Sequence, residues 1–189
     1  MSFMLLGILN SQAAGGGAGA YDLLETQTLT SDASSVTFTG LSSYSDYKHL
    51  QIRCSVRVAG NDGIAMMRLN NDSTSSYGSS GMTAYNGLIR VDNDTNASSM
   101  RLGRVYERGD HTPSQSYGAS IIDILDFASA NKKTTVMQLG GRVPSELDKR
   151  VDFGAGVFDK TNAVTSLSIF DIGSDLKANS RFSLYGIKG

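Results

Sequence analysis

The chain has one cysteine, two prolines and no tryptophan among 189 residues. A lone Cys54 cannot build a disulfide framework or a multi-cysteine metal site, and its place in an alternating apolar series marks it as a core residue. The two histidines, His49 and His111, have no second histidine or cysteine at ligand spacing, so no zinc site is expected and no cofactor is implied. Charged residues make up only 19% and sum to a formal net charge of −1. That balance leaves no field to draw in nucleic acid or an anionic membrane. No apolar run approaches the roughly 20 residues of a membrane span, so membrane insertion is not expected. Phosphate-cradling glycine motifs and a Gly-x-Ser-x-Gly turn are missing too, and the apolar opening lacks the basic start of a signal peptide.

What remains is 40% hydrophobic residues, 21 glycines and a surface solubilised by Ser, Thr and Asn. The length suits one well-covered domain. Ala13 to Ala20 consists only of alanine and glycine, with little side-chain surface to bury, and reads as a flexible tether. Residues 1–20 are therefore expected to be an apolar N-terminal anchor and tether, with the domain at 21–189. Phe3, Leu5, Leu6, Ile8 and Leu9 would need cover from another chain, which makes them the expected contact with an assembly partner.

From Tyr21 onward the dominant period is two. Leu50, Ile52, Cys54, Val56 and Val58 share one face, while Gln51, Arg53, Ser55 and Arg57 share the other. Val36 and Phe38 repeat the pattern, as do Val151, Phe153, Ala155 and Val157, which should face inward with Asp152 and Gly154 between them. Further strands are expected at 64–69, 87–91, 101–105, 118–125, 134–139, 165–170 and 181–187. Turn-forming clusters at 60–63, 70–73, 92–96 and 173–175 separate them. Only short helical turns fit, at 126–131 and 144–149. Eight to ten short strands with such punctuation predict an all-β fold, an antiparallel, jelly-roll-like β-sandwich with a short flexible N-terminal arm.

Little of the sequence reads as chemistry. Glu107, Asp110, Asp123, Asp126 and Asp152 could supply a glycosidase pair, but nothing brings two of them together, so no catalytic residue is assigned and no enzyme activity is expected. Asp92, Asp94 and Asn96 open like a calcium loop. Ala97 stands where such a loop wants glycine and Gly103 where it wants a bidentate glutamate, so no metal is expected. The stretch from Asn70 to Met100 mixes Tyr with Ser, Asn and Gly, the composition of adaptable binding loops. Tyr77, Tyr85, Asn93 and Asn96 are its candidate receptor-facing residues, with a host surface glycan as the ligand they would suit. The closing strand carries Phe182 and Leu184 on one face, Tyr185 and Ile187 on the other. The second pair is the candidate subunit interface of a homotrimer, a form that multiplies weak single-site affinity.

Three segments carry a likeness. Tyr47 to Arg53, Ile121 to Phe127 followed by Asn131-Lys132, and Ser180 to Gly189 resemble strands of a diverse group of uncharacterised virion proteins from tailed bacteriophages, especially cyanophages and marine phages. The apolar start and glycine tether are similar as well. The resemblance implies a virion location, after assembly in the host bacterial cytoplasm, and carries over no functional residues. The expected function is a structural tail-fibre or baseplate-attached subunit, held to other virion proteins by its arm and contributing to host attachment. A capsid decoration or cement protein is the alternative, and a polysaccharide-binding or polysaccharide-cleaving domain a further one.

Overall fold

The computed structural model describes residues 20–60, 63–104, 116–142 and 149–189. Its regular structure is twelve strands: β1 (Tyr21–Thr28), β2 (Val36–Phe38), β3 (His49–Val56), β4 (Ala65–Leu69), β5 (Tyr77–Tyr85), β6 (Leu88–Ala97), β7 (Met100–Gly103), β8 (Gly118–Leu125), β9 (Thr134–Arg142), β10 (Arg150–Phe158), β11 (Leu167–Asp171) and β12 (Arg181–Ile187). Among the described residues the helical content is one 3-10 turn, Leu41–Tyr44.

The strands form an antiparallel sandwich of unequal sheets. The larger runs β1-β12-β3-β8-β9-β10-β5-β6 and the smaller β2-β11-β4-β7. Each sheet repeats the other's pairings through the next strand along the chain. β12 pairs with β3 in the large sheet while β11 pairs with β4 in the small one, and β3–β8 is likewise matched by β4–β7. A ribbon that crosses between sheets and keeps its partners is the winding of a jelly roll. β9, β10, β5 and β6 then extend the large sheet, and β7 lies against β5, β10 and β9.

The core sits where alternation placed it. Leu50, Ile52, Cys54, Val56 and Val58 are all buried, as are Phe182 and Leu184 on the neighbouring strand. They meet Phe38, Met67, Leu69, Leu167 and Ile169 of the small sheet. Full burial of one such side chain stabilises by about 1.5–3 kcal/mol.

Three expectations are corrected. The stretch read as long loops is mostly the β5–β6 hairpin, closed by Asn86 and Gly87 at φ 48° and 77°. Positive φ at both central turn residues matches the twist of the flanking strands, which is why Asn-Gly belongs there. Residues 92–96, read as a turn, lie within β6.

The third correction concerns β10, whose faces are reversed. Val151 and Phe153 point outward and are exposed, while Asp152 and Gly154 are buried. The reversal runs across the sheet. One row, Cys54–Ser120–Gly140–Asp152–Thr83, faces inward and passes from apolar to polar between β3 and β5. The adjacent row, Arg53–Ile121–Leu139–Phe153–Met82–Val91, faces outward and passes from polar to apolar.

Candidate functional site

The receptor-facing residues expected from the sequence do not come together. Tyr77 is a core residue, 1% exposed, its ring stacked on Phe158 at 5.2 Å between centroids. Its hydroxyl donates towards Leu69 O at 3.1 Å and Asp72 O at 3.0 Å and accepts from Leu69 N at 2.9 Å. Burial pushes its pKa up to about 12. A buried phenol with its hydroxyl so fully engaged fixes a turn and cannot reach a ligand.

That turn is satisfied internally. Asn70 Oδ1 accepts from Thr165 N at 2.7 Å and Ser166 N at 3.3 Å, and Asn70 Nδ2 donates to Ala163 O at 2.9 Å. Asp72 Oδ1 accepts from Thr74 N and Thr74 Oγ1 at 2.7 and 2.6 Å, and Oδ2 pairs with Lys160. The polar groups that resembled an adaptable loop are holding the 70–76 and 163–166 segments together.

Tyr85, Asn93 and Asn96 do reach the surface, but apart. Tyr85 stands beside the hairpin turn, opposite Leu88, with the Arg150 guanidinium 5.1 Å over its ring. Asn96 lies eight residues along β6 from Leu88, about 25 Å away at the rise of a strand. Asp92 and Asp94, which opened the calcium-like series, are ion-paired at 2.8 Å with Arg90 and Arg101. Among the described residues no group of three or more His, Cys, Asp or Glu side chains could hold a metal ion.

Among the described residues the carboxylates Asp123, Asp126 and Asp152 take different surroundings. Asp123 faces the outside of the large sheet and accepts from Gln51 Nε2 at 2.7 Å. Asp126 sits past the end of β8, its pKa lowered chiefly by a hydrogen bond from Lys132 Nζ, with its backbone N donating to His49 Nδ1 at 2.9 Å. Asp152 faces the inside. Its Oδ1 accepts from Thr83 Oγ1 at 2.6 Å and Arg104 N at 2.9 Å. Gly103, at φ 129°, makes room for it: a Cβ there would stand 3.0 Å from Oδ1. Gln138 and Ser120, hydrogen-bonded to each other, complete this buried polar seam. Cys54 lies nearby, and burial drives its thiol up to about 12, far from a reactive thiolate. His111, Glu107, Asp110 and the arm residues Phe3, Leu5, Leu6, Ile8 and Leu9 lie outside the described residues.

Tyr185 and Ile187 are half-buried on the outer side of β12. Arg53 lies over the Tyr185 ring at 4.9 Å and over Tyr21 at 5.3 Å, so one cation bridges three adjacent strands. The outer face thus mixes the Arg53 cation and its aromatic partners with Leu23 and Ile187 over β1, β12 and β3, and is mainly apolar over β8, β9, β10, β5 and β6. The sequence carried a signal for the hairpin in Asn86-Gly87, but none for the reversal of faces.

No family model matches the chain, and no curated protein does. Among solved structures it is similar to an exo-inulinase from Aspergillus awamori, at 14% identity and a TM-score of 0.43, over 88% of this chain and 29% of that one. The chain therefore spans less than a third of the inulinase. A galectin from Caenorhabditis elegans is similar at 8% identity and a TM-score of 0.32, over 93% of this chain and all of the galectin. A Shewanella oneidensis protein of unknown function follows at 10% identity and a TM-score of 0.23, over 93% and 82%. At such scores these likenesses carry nothing about function.

Proposed function

We propose that this chain is a non-enzymatic structural subunit of a tailed-phage virion, attached to the tail fibre or baseplate and contributing to host attachment. The observation that carries the reading is the placement of the three segments resembling phage virion proteins. Separated by about seventy and then sixty residues in the sequence, they form β3, β8 and β12, which lie side by side as β12-β3-β8 in the large sheet. The likeness therefore falls on one contiguous part of the fold rather than on scattered surface strands.

The test is the particle. Mass spectrometry of purified virions from a phage encoding this chain should find it. A cryo-EM map should place its copies around the tail in the number set by tail symmetry. Copies following the capsid lattice would make it a decoration protein, and absence from purified particles would end the virion reading.

A further inference from the structure

The large sheet wears its apolar side outward over five strands. Ile121, Leu139, Phe153, Met82 and Val91 stand in one cross-strand row on β8, β9, β10, β5 and β6, every one of them more than 40% exposed. One row over, Val151 and Ile89 are 59% and 70% exposed. A soluble monomer scatters its exposed hydrophobics, whereas this set is contiguous and leaves on the order of 700 Å² open, above the few hundred Å² of an ordinary surface patch. Beneath this row the inner side of β9, β10 and β5 carries Gln138, Gly140, Asp152 and Thr83, so there the polar side of the sheet is buried and the apolar side is exposed.

We infer that this face packs against the same face of a second copy of the chain. The open area is close to the ~800 Å² that each partner contributes to a standard stable interface. The row from Ile121 to Val91 contains no charged side chain, so a partner of opposite charge has nothing to grip. The neighbouring rows continue the apolar surface, with Gly141, Val151, Ala84 and Ile89 on one side and Met137, Ala155 and Ser80 on the other. A two-fold axis near Phe153 sets the apolar rows of one copy against those of the other, so that the same patch serves both partners, as an isologous pair requires. Two such faces stack about 10 Å apart with strands crossing near −30°, as sheets do inside a sandwich. The contact leaves Tyr185 and Ile187 out, which separates it from a homotrimer built on the closing strand.

Multi-angle light scattering on the full chain tests it. At about 100 µM the mass should be twice the 20.1 kDa chain and should fall towards one chain on dilution, as mass action requires. Leu139→Glu and Val151→Glu, both at exposed positions, should each shift the protein to the single-chain mass with an unchanged circular dichroism spectrum. Tyr185→Ala should leave the pair intact. A wild-type chain that stays single at that concentration overturns the inference, as does a mass of three chains or a pair that survives both glutamates. The dilution series of the wild type decides the matter even if a variant misfolds.

Discussion

Asp152 and Phe153 are consecutive residues of β10, and it is the aspartate that is buried, at 2% exposure, and the phenylalanine that is open, at 47%. Their mutational costs should follow the structure and invert the usual ranking of the two residue types. Asp152→Ala strands the Thr83 hydroxyl and the Arg104 amide in the polar seam, and a buried donor left without its acceptor costs about 1–3 kcal/mol. Phe153→Ala removes a side chain that solvent already reaches, at a cost of about 1 kcal/mol or less for the unassociated chain. Urea denaturation of both variants at high dilution measures the pair. A larger loss for Phe153→Ala would mean that β10 presents its other face to the core.

On β3 the same comparison should come out the conventional way. Ile52 is fully buried between Leu184 of β12 and Ile122 of β8, so Ile52→Asp places an uncompensated carboxylate in the core at about 3–5 kcal/mol. Arg53→Asp gives up an exposed guanidinium over Tyr21 and Tyr185, contacts worth about 0.5–1 kcal/mol each at such sites. Thermal melts should show the first variant unfolded or far less stable and the second within a few degrees of wild type. Equal losses would contradict the register of β3 against its neighbours.

These two strands also mark how far the sequence could be read. Leu50 to Val58 alternates five apolar residues with four polar ones, and a residue such as Arg53 next to Ile52 tells which side is wet. Around Asp152 the alternation is just as regular, but the sign is ambiguous. Whether Val151 and Phe153 or Asp152 and Gly154 turn inward depends on Thr83 and Arg104, 69 and 48 residues away, waiting with donors on the inner side. Period two reports that a strand has two faces; distant partners decide which one is covered. β5 escaped notice for a different reason. Its sequence, Tyr-Gly-Ser-Ser-Gly-Met-Thr-Ala-Tyr, has too few apolar residues to show any period, so Tyr77 looked like part of a binding loop. The Asn86-Gly87 pair was the available clue, since it implies a strand on each side. Strands β8 and β12, with apolar residues on buried positions, fall on the expected 118–125 and 181–187.

The turn that Tyr77 closes should make the fold sensitive to acid through Asp72. The Lys160 ammonium, joined by the Thr74 hydroxyl and amide, lowers the Asp72 carboxyl from its ordinary 3.8 to about 2. A carboxyl whose folded pKa lies below its unfolded one binds fewer protons when folded, so it stabilises the fold above the unfolded value. That contribution is complete by about pH 5 and is lost as the pH falls through 4 towards 2, where the folded state must also take up the proton. Asp72→Asn keeps an acceptor for Thr74 but removes both the charge and the titration. The variant should therefore melt below wild type at neutral pH, with the gap narrowing between pH 5 and 2 until the two curves approach each other. High salt should change the gap less than pH does, because Asp72 is half-buried and two of its three partners are uncharged. Melting midpoints of both proteins across that pH range provide the measurement. A gap that stayed constant down to pH 2 would show that Asp72 is not held ionised by the Lys160 and Thr74 contacts.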